Sequence, residues 1–305
     1  NKINNKRIKM ESLNKIENTL NSPLKIILGG YGPLNTSFSK ALKFIGEQIT
    51  SQLGNNVNVE YIFNVMDLGY KSEDIIKLTE EGKLTISYQS SSYLTDTIPE
   101  LGLIDLPFIF ENNDQARKNI DGNLGKYFNT KIEKKMNFKI LGYFENGFRH
   151  ISNKIKPIKK PEDLNNMKIR VLPSEIHKRT FDLLGSTPLR MDLVEAIKSI
   201  VNGTIDAQEN PLANTVAYDV HKYHKYHTLS NHFYISRCIM CNLDQYIQWP
   251  TKIKNIIEKT IKDSIEFQRS EAEKETILSY NTLIKHGCEI IDLNSEESNK
   301  FKEIV

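Results

Sequence analysis

The sequence predicts an α/β protein of two lobes, with the chain crossing between them more than once. Three observations predict it. Strand-like and helical segments alternate through residues 24–88, and a second strand–helix series restarts at residue 168. A late strand at 234–241 is then followed by one helical run, 252–285, without glycine or proline. Alternation of this kind is the pattern of parallel sheets with crossover helices.

The elements follow in order. LKIILG, Leu24–Gly29, is a short apolar run ended by glycine and reads as a buried strand. Residues 30–33 form a loop. Thr36-Ser37 opens an amphipathic helix over 38–53, with Phe38, Leu42, Ile45 and Ile49 on one face. Gly54 with Asn55 and Asn56 stops it. VNVEYIF, 57–63, alternates as a second strand, 72–81 is helical up to Gly82, and 84–88 is a third strand. LIDLPFIF, 103–110, is apolar but broken by Pro107, which makes it a buried connection rather than a central strand. One helix is expected over 114–136, then a strand over 138–144. The second series has a strand at Lys168–Val171, helices over 174–184 and 192–201, and a short strand from Ala207. Residues 234–241 alternate as a further strand, and the long helix ends at His286-Gly287. No fixed-period repeat is present.

The 305 residues leave room for two domains of roughly 100–200 residues each. With 39% hydrophobic and 26% charged residues the composition is that of a folded, not a disordered, chain. The net charge is +3, and the basic residues are spread among acids, so nucleic acid is not an expected partner. No apolar run reaches the ~18 residues of a membrane helix. Residues 1–22 are polar and basic without an apolar core, so they are not themselves a signal peptide. Three cysteines, Cys238, Cys241 and Cys288, do not make a disulfide framework.

Catalytic signatures are missing. The sequence has no GxSxG, HExxH, P-loop or GxGxxG. Gly29-Gly30-Tyr31-Gly32 lacks dinucleotide spacing and reads as a tight strand-to-helix turn. Cys238 and Cys241 form a lone CxxC in an apparent strand, without the second pair a zinc ribbon needs, and read as small buried hydrophobes. His221, His224 and His227 do not converge on one face of a helix or strand, so no metal is expected there and the segment reads as solvated and amphipathic.

Arg149 follows a strand, Arg170 ends MKIR at a strand rim, and Asn210 lies in QENP, a polar turn after Ile205. A guanidinium presents a planar fork that pairs with both carboxylate oxygens, and an asparagine amide donates to one oxygen and accepts from a neighbouring hydroxyl. The three together fit the capture of a carboxylate.

Several ordered segments carry a resemblance: VMDLG (65–69), LGLIDLPFIF (101–110), NGFRHI (146–151), KPEDLNNMKIRV (160–171), LGSTP (184–188), Met191 with Glu195, and GTIDAQENP (203–211). In order and spacing they resemble the periplasmic solute-binding subunits of TRAP transporters, from about residue 24 to 286. The resemblance implies a two-lobed periplasmic binding protein fold, with a ligand cleft between the lobes and a long helix spanning both. The expected division is an N-terminal extension, 1–23, lobe I from 24–147 with 236–275, and lobe II from 148–235 with 276–305. Arg170 matches the arginine that salt-bridges the ligand carboxylate, Arg149 the supporting arginine, and Asn210 the asparagine of the same wall. Thr36, Ser37, Gln89, Ser90 and Ser174 fall where family members line the pocket, and Arg237 falls near another lining position. Asn166 departs from the family by replacing the glycine of D-L-x-G, a change that asparagine tolerates in a left-handed turn. Cys238 and Cys241 are outside the family pattern.

The resemblance implies a non-enzymatic receptor, monomeric and periplasmic with its signal peptide removed. It would bind a small organic carboxylate (dicarboxylate, keto or hydroxy acid, or sugar acid) and pass it to TRAP membrane subunits, without cofactor or metal. An enzyme acting on an arginine-anchored carboxylate is the alternative, with Glu209 and Glu195 as its nearest acid–base candidates. A sensory ligand-binding module is a third reading.

Overall fold

The structure, a computed structural model, describes residues 22–305. The N-terminal extension therefore lies, except for its last two residues, outside the described residues. Strand β1 (Leu24–Gly29) feeds helix α1 (Ser37–Leu53). The Thr36 hydroxyl caps α1 by accepting from the Ser39 N–H at 3.2 Å, and Gly54 closes it at a φ of 57°. Strand β2 (Val57–Ile62), helix α2 (Asp74–Glu80) and strand β3 (Ile86–Ser90) complete a parallel β2-β1-β3 core. A short helix α3 (Gly102–Asp105) leads to α4 (Asn113–Ile120), α5 (Asn123–Lys135) and the long strand β4 (Phe138–Phe148). Strand β10 (Tyr234–Asn242) inserts antiparallel between β3 and β4, giving the order β2-β1-β3-β10-β4.

The second sheet is built from β5 (His150–Asn153), β6 (Lys168–Val171), β7 (Thr187–Arg190), β8 (Ala207–Asn210), β9 (Tyr226–Leu229) and β11 (Glu289–Asp292). Its order is β11-β9-β5-β8-β6-β7. Helices α6 (Glu175–Leu183), α7 (Leu193–Val201) and α8 (Leu212–Ala217) connect these strands. The chain passes between sheets after β4, after β9 and again before β11. Helix α9 (Leu243–Gln248) precedes α10 (Thr251–Lys285), whose 35 residues span roughly 52 Å. It packs on α1 and β4 at one end and on α8 and β11 at the other, so it runs along both lobes. Helix α11 (Ser295–Lys302) ends the fold.

Several expectations need correction. The third strand starts at Ile86, not at residue 84, because the N–H groups of Lys83 and Leu84 both close α2 by donating to Leu78 O. The single helix expected over 114–136 is two, α4 and α5. A side chain at Gly125 would collide with the carbonyl oxygen of Ile120, so the helices meet where only glycine fits. The connection at 103–110 is only partly buried: Ile104 and Asp105 are inside, Leu103 and Leu106 exposed. Strand β10 does not alternate, since all nine of its residues are buried in the middle of the sheet. QENP is not a turn: Ala207–Asn210 is a wholly buried strand. Asn166 does adopt the left-handed conformation, at a φ of 63°. Among the described residues no helix is long and apolar enough to cross a membrane.

Candidate functional site

Arg149 sits at the crossing from β4 to β5, where its N–H donates to Phe233 O at 2.9 Å. Strand β5 pairs with β8, which sets Glu209 within its reach. Arg149 Nε donates to Glu209 Oε2 at 2.6 Å, and its NH2 donates to Glu209 Oε1 at 2.9 Å and to Glu209 O at 2.7 Å. His232 Nε2 stands 2.9 Å from the same Oε2, and Ser230 Oγ is 2.6 Å from His232 Nδ1. Burial works against the Glu209 charge, but the Arg149 guanidinium and the His232 hydrogen bond overcome it and hold the carboxyl down at about 2. Arg149 is thus neutralised within the protein.

Arg170, in β6, is buried to 1% exposure. Its Nε donates to Met191 O at 3.0 Å and its NH2 to the Tyr93 hydroxyl at 3.3 Å. No carboxylate of the described residues lies within ion-pair distance of it. At the end of β8, Asn210 Nδ2 donates to Gln208 Oε1 at 2.8 Å, while its Oδ1 accepts from Asn214 Nδ2 at 3.2 Å. Asn214 also donates to Asn146 Oδ1 at 3.0 Å. Across from this wall, Arg237 in β10 lies 3.8 Å from the centre of the Phe38 ring and 4.5 Å from that of Tyr31.

Arg149, Arg170, Asn210, Asn214, Asn146 and Arg237 line one small cavity between the two sheets. Five of the residues singled out from the sequence line it together: Ser90, Arg149, Arg170, Asn210 and Arg237. Four do not. Thr36 caps α1, and Ser37 Oγ accepts from Gln268 Nε2 at 3.2 Å. Gln89 Nε2 donates to Ser72 O at 2.8 Å, and Ser174 Oγ donates to Asp105 Oδ2 at 2.7 Å. Their polar groups hold the fold rather than face the cavity. Sequence reasoning missed Tyr31, Tyr93 and Tyr218, the amides of Asn146 and Asn214, and the apolar Leu172 and Leu193. Asn146 was within reach, since it opens the NGFRHI segment that drew attention to Arg149.

The cavity walls are tied across the cleft. Ser72 Oγ donates to Asp192 Oδ1 at 2.5 Å and the Glu73 N–H to the same oxygen at 3.0 Å. The Tyr218 hydroxyl donates to Tyr31 O at 2.9 Å, and the Leu193 N–H to the Tyr93 hydroxyl at 3.2 Å. These bonds join the two walls directly. A more open groove along α5, β4 and α10 lies away from these arginines, and its Arg269 is paired with Asp121 at 2.6 Å.

Neither cysteine of the CxxC faces the cavity. Both are buried, and burial pushes the Cys238 thiol up to about 12. His221, His224 and His227 are buried, not solvated as their spacing suggested. His224 Nδ1 meets Ser152 Oγ at 2.9 Å and His227 Nε2 meets His224 O at 2.8 Å, so β9 and its approach are packed inward. Among the described residues no group of three His, Cys, Asp or Glu side chains is placed to hold a metal ion.

Compared with known proteins, residues 29–305 match the family model DctP, described as bacterial extracellular solute-binding protein, family 7. A C4-dicarboxylate-binding protein of Bacillus subtilis is 24% identical over 268 residues, covering 88% of this chain and 76% of its own length. Among solved structures, the sugar acid binding protein of Advenella mimigardefordensis in complex with galactonate is similar with a TM-score of 0.89 at 28% identity, over 93% of this chain and 91% of that one. A TRAP periplasmic solute binding protein from Sulfurospirillum deleyianum with bound succinate has a TM-score of 0.87 at 26% identity, over 93% and 92% of the two chains.

Proposed function

The chain belongs to the bacterial extracellular solute-binding proteins of family 7, and from that premise we propose that it is a periplasmic receptor for a small organic carboxylate, which it delivers to the membrane subunits of a TRAP transporter. The lobes are 24–147 with 236–275 and 148–235 with 276–305, each carrying one sheet, and the protein works as a monomer. Arg170 takes the carboxylate, held in aim by Met191 O and Tyr93. Arg149, locked to Glu209, supports the wall, and Asn210 adds an amide contact. A ligand that touches both lobes favours the closed state by its differential affinity for it.

The observation that carries this reading is Arg170: a buried guanidinium, in a cavity, with no carboxylate of the described residues beside it. A buried charge without a counter-charge is costly, and an anionic ligand supplies the counter-charge. The carboxylate and sugar-acid ligands of the relatives fit the same chemistry. Against catalysis stands the engagement of Glu209: both its oxygens are held by Arg149 and His232, so it has no free role as acid or base.

A thermal-shift screen of dicarboxylates, keto acids, hydroxy acids, uronates and aldonates tests the reading. At about a thousand times its dissociation constant a ligand adds about 4 kcal/mol, or roughly 10 °C at this size. A shift confined to one class of carboxylate is expected. A flat response to all of them, from protein that yields no extractable acid, contradicts it.

A further inference from the structure

The first turn of α7 serves two partners at once. Asp192 caps the helix, its Oδ2 accepting from the Val194 N–H at 3.0 Å. Its Oδ1 turns to the other lobe and accepts from Ser72 Oγ at 2.5 Å and from the Glu73 N–H at 3.0 Å. Each carboxylate oxygen therefore has a separate task, which a side chain with a single oxygen cannot match. Asp192 and Ser72 are both buried, so this charge-assisted contact is shielded from water and salt.

The residues on either side of Asp192 extend the contact. Leu193 packs into the apolar core of the first sheet, although its helix belongs to the second. Its N–H donates to the Tyr93 hydroxyl at 3.2 Å, the same hydroxyl that accepts from Arg170 NH2 at 3.3 Å. Met191 O accepts from Arg170 Nε at 3.0 Å. Residues 191–193 thus touch Arg170 and the opposite lobe together. Ser72 and Asp192 themselves do not line the cavity, so their bond does not depend on which acid fills it. A further pair joins the lobes two residues earlier, Arg190 with Asp96 at 2.6 Å. Asp96 is 65% exposed, and exposed pairs of this kind contribute little.

We infer that Asp192 is the catch of an inter-lobe latch: with Ser72 and Glu73 it holds the lobes together over an acid bound at Arg170, and so sets how long that acid stays. Asp192 is a positioning residue and touches no bound acid. This rests on the carboxylate-receptor reading above. A bond made only when the lobes are together stabilises that state alone. It slows release without speeding capture, and to the same degree for every acid the cavity accepts.

The test is stopped-flow fluorescence with calorimetric titration, on the whole chain freed of co-purified acid by unfolding in guanidinium and refolding. The probes are succinate, pyruvate, glucuronate and galactonate. Asp192→Ser keeps a good helix cap but is too short to reach Ser72 as well, and Ser72→Ala removes the bond from the other side. Each should raise the release rate of every acid that binds the parent by about tenfold or more, with the capture rate within about threefold. The double variant should release about as fast as Asp192→Ser alone, because both substitutions remove one interaction. Asp96→Asn, the exposed control, should change release by less than about threefold. Melting temperatures without acid should stay close to that of the parent, whereas a merely structural bond would lower them. Unchanged release in both variants, a loss that falls on capture, or a loss confined to one of several binding acids overturns the latch and leaves the receptor reading standing. If none of the four acids binds the parent, the receptor reading fails and the latch with it.

Discussion

Arg149 and Arg170 are both buried guanidiniums, and they differ in what faces them. Arg149 holds a bidentate pair with Glu209, whereas Arg170 meets only a carbonyl and a phenol hydroxyl. Removing one partner of a buried pair leaves the other charge uncompensated, at a cost of about 3–5 kcal/mol. Glu209→Gln should therefore lower unfolding stability by that amount in urea denaturation. A loss below about 1 kcal/mol would show that the pair is not what stabilises this wall. That Arg149, Arg170 and Asn210 come together at one cavity was legible because each sits in an ordered motif. Thr36 and Ser174 were not correctly read, because a hydroxyl that caps a helix and a hydroxyl that lines a pocket occupy the same place in a strand–loop–helix sequence. The tyrosines were missed for a related reason: a loop aromatic looks the same in sequence whether it packs in the core or walls a cavity.

Elements with punctuated ends were legible. Strand β1 stops at glycine, α1 runs from a threonine cap to Gly54, and α10 ends before His286-Gly287. The α4–α5 break was not, since glycine inside a helical pattern is usually tolerated and here a close approach to Ile120 O decides the matter. Strand β8 was expected from Ala207, but its extent through QEN and its burial were not, because these residues are polar and their burial depends on the bonds that the neighbouring strands and α8 supply. The turn into β6 is held by Asn166 at positive φ, with its N–H donating to Gly185 O at 3.1 Å. Asn166→Gly should change stability by less than about 1 kcal/mol, while Asn166→Val should cost about 1–3 kcal/mol, because a β-branched residue is strained there. Equilibrium denaturation of the two variants checks this. Equal stabilities would mean the turn has rearranged.

For the whole molecule, two sheets share three chain passages and a helix long enough to run along both. The alternation of strands and helices made the two-lobed architecture legible. The polar ties across the cleft were not, because Ser72 and Asp192 stand 120 residues apart in the chain and meet only through the fold. Acid sensitivity also belongs to this scale. Burial pushes His224 down to about 3 and His227 to about 4. Both are neutral in the fold, while the unfolded chain takes up protons near 6.5. Their contribution is thus full above pH 6.5 and is lost as pH falls towards 4, each with a slope of about 1.4 kcal/mol per pH unit. Melting temperature should be level above about pH 7 and fall below about 6.5, and His224→Gln should flatten that fall. A variant as acid-sensitive as the parent would assign the effect to other groups.

Calorimetric titration of the parent and of Arg170→Met, with the carboxylate that gives the largest thermal shift, tests the central claim most directly. The account predicts a single site in the parent and a loss of at least about 100-fold in the variant, with its melting temperature retained. Parent-like affinity in Arg170→Met, or conversion of the bound acid into product during the titration, would contradict it.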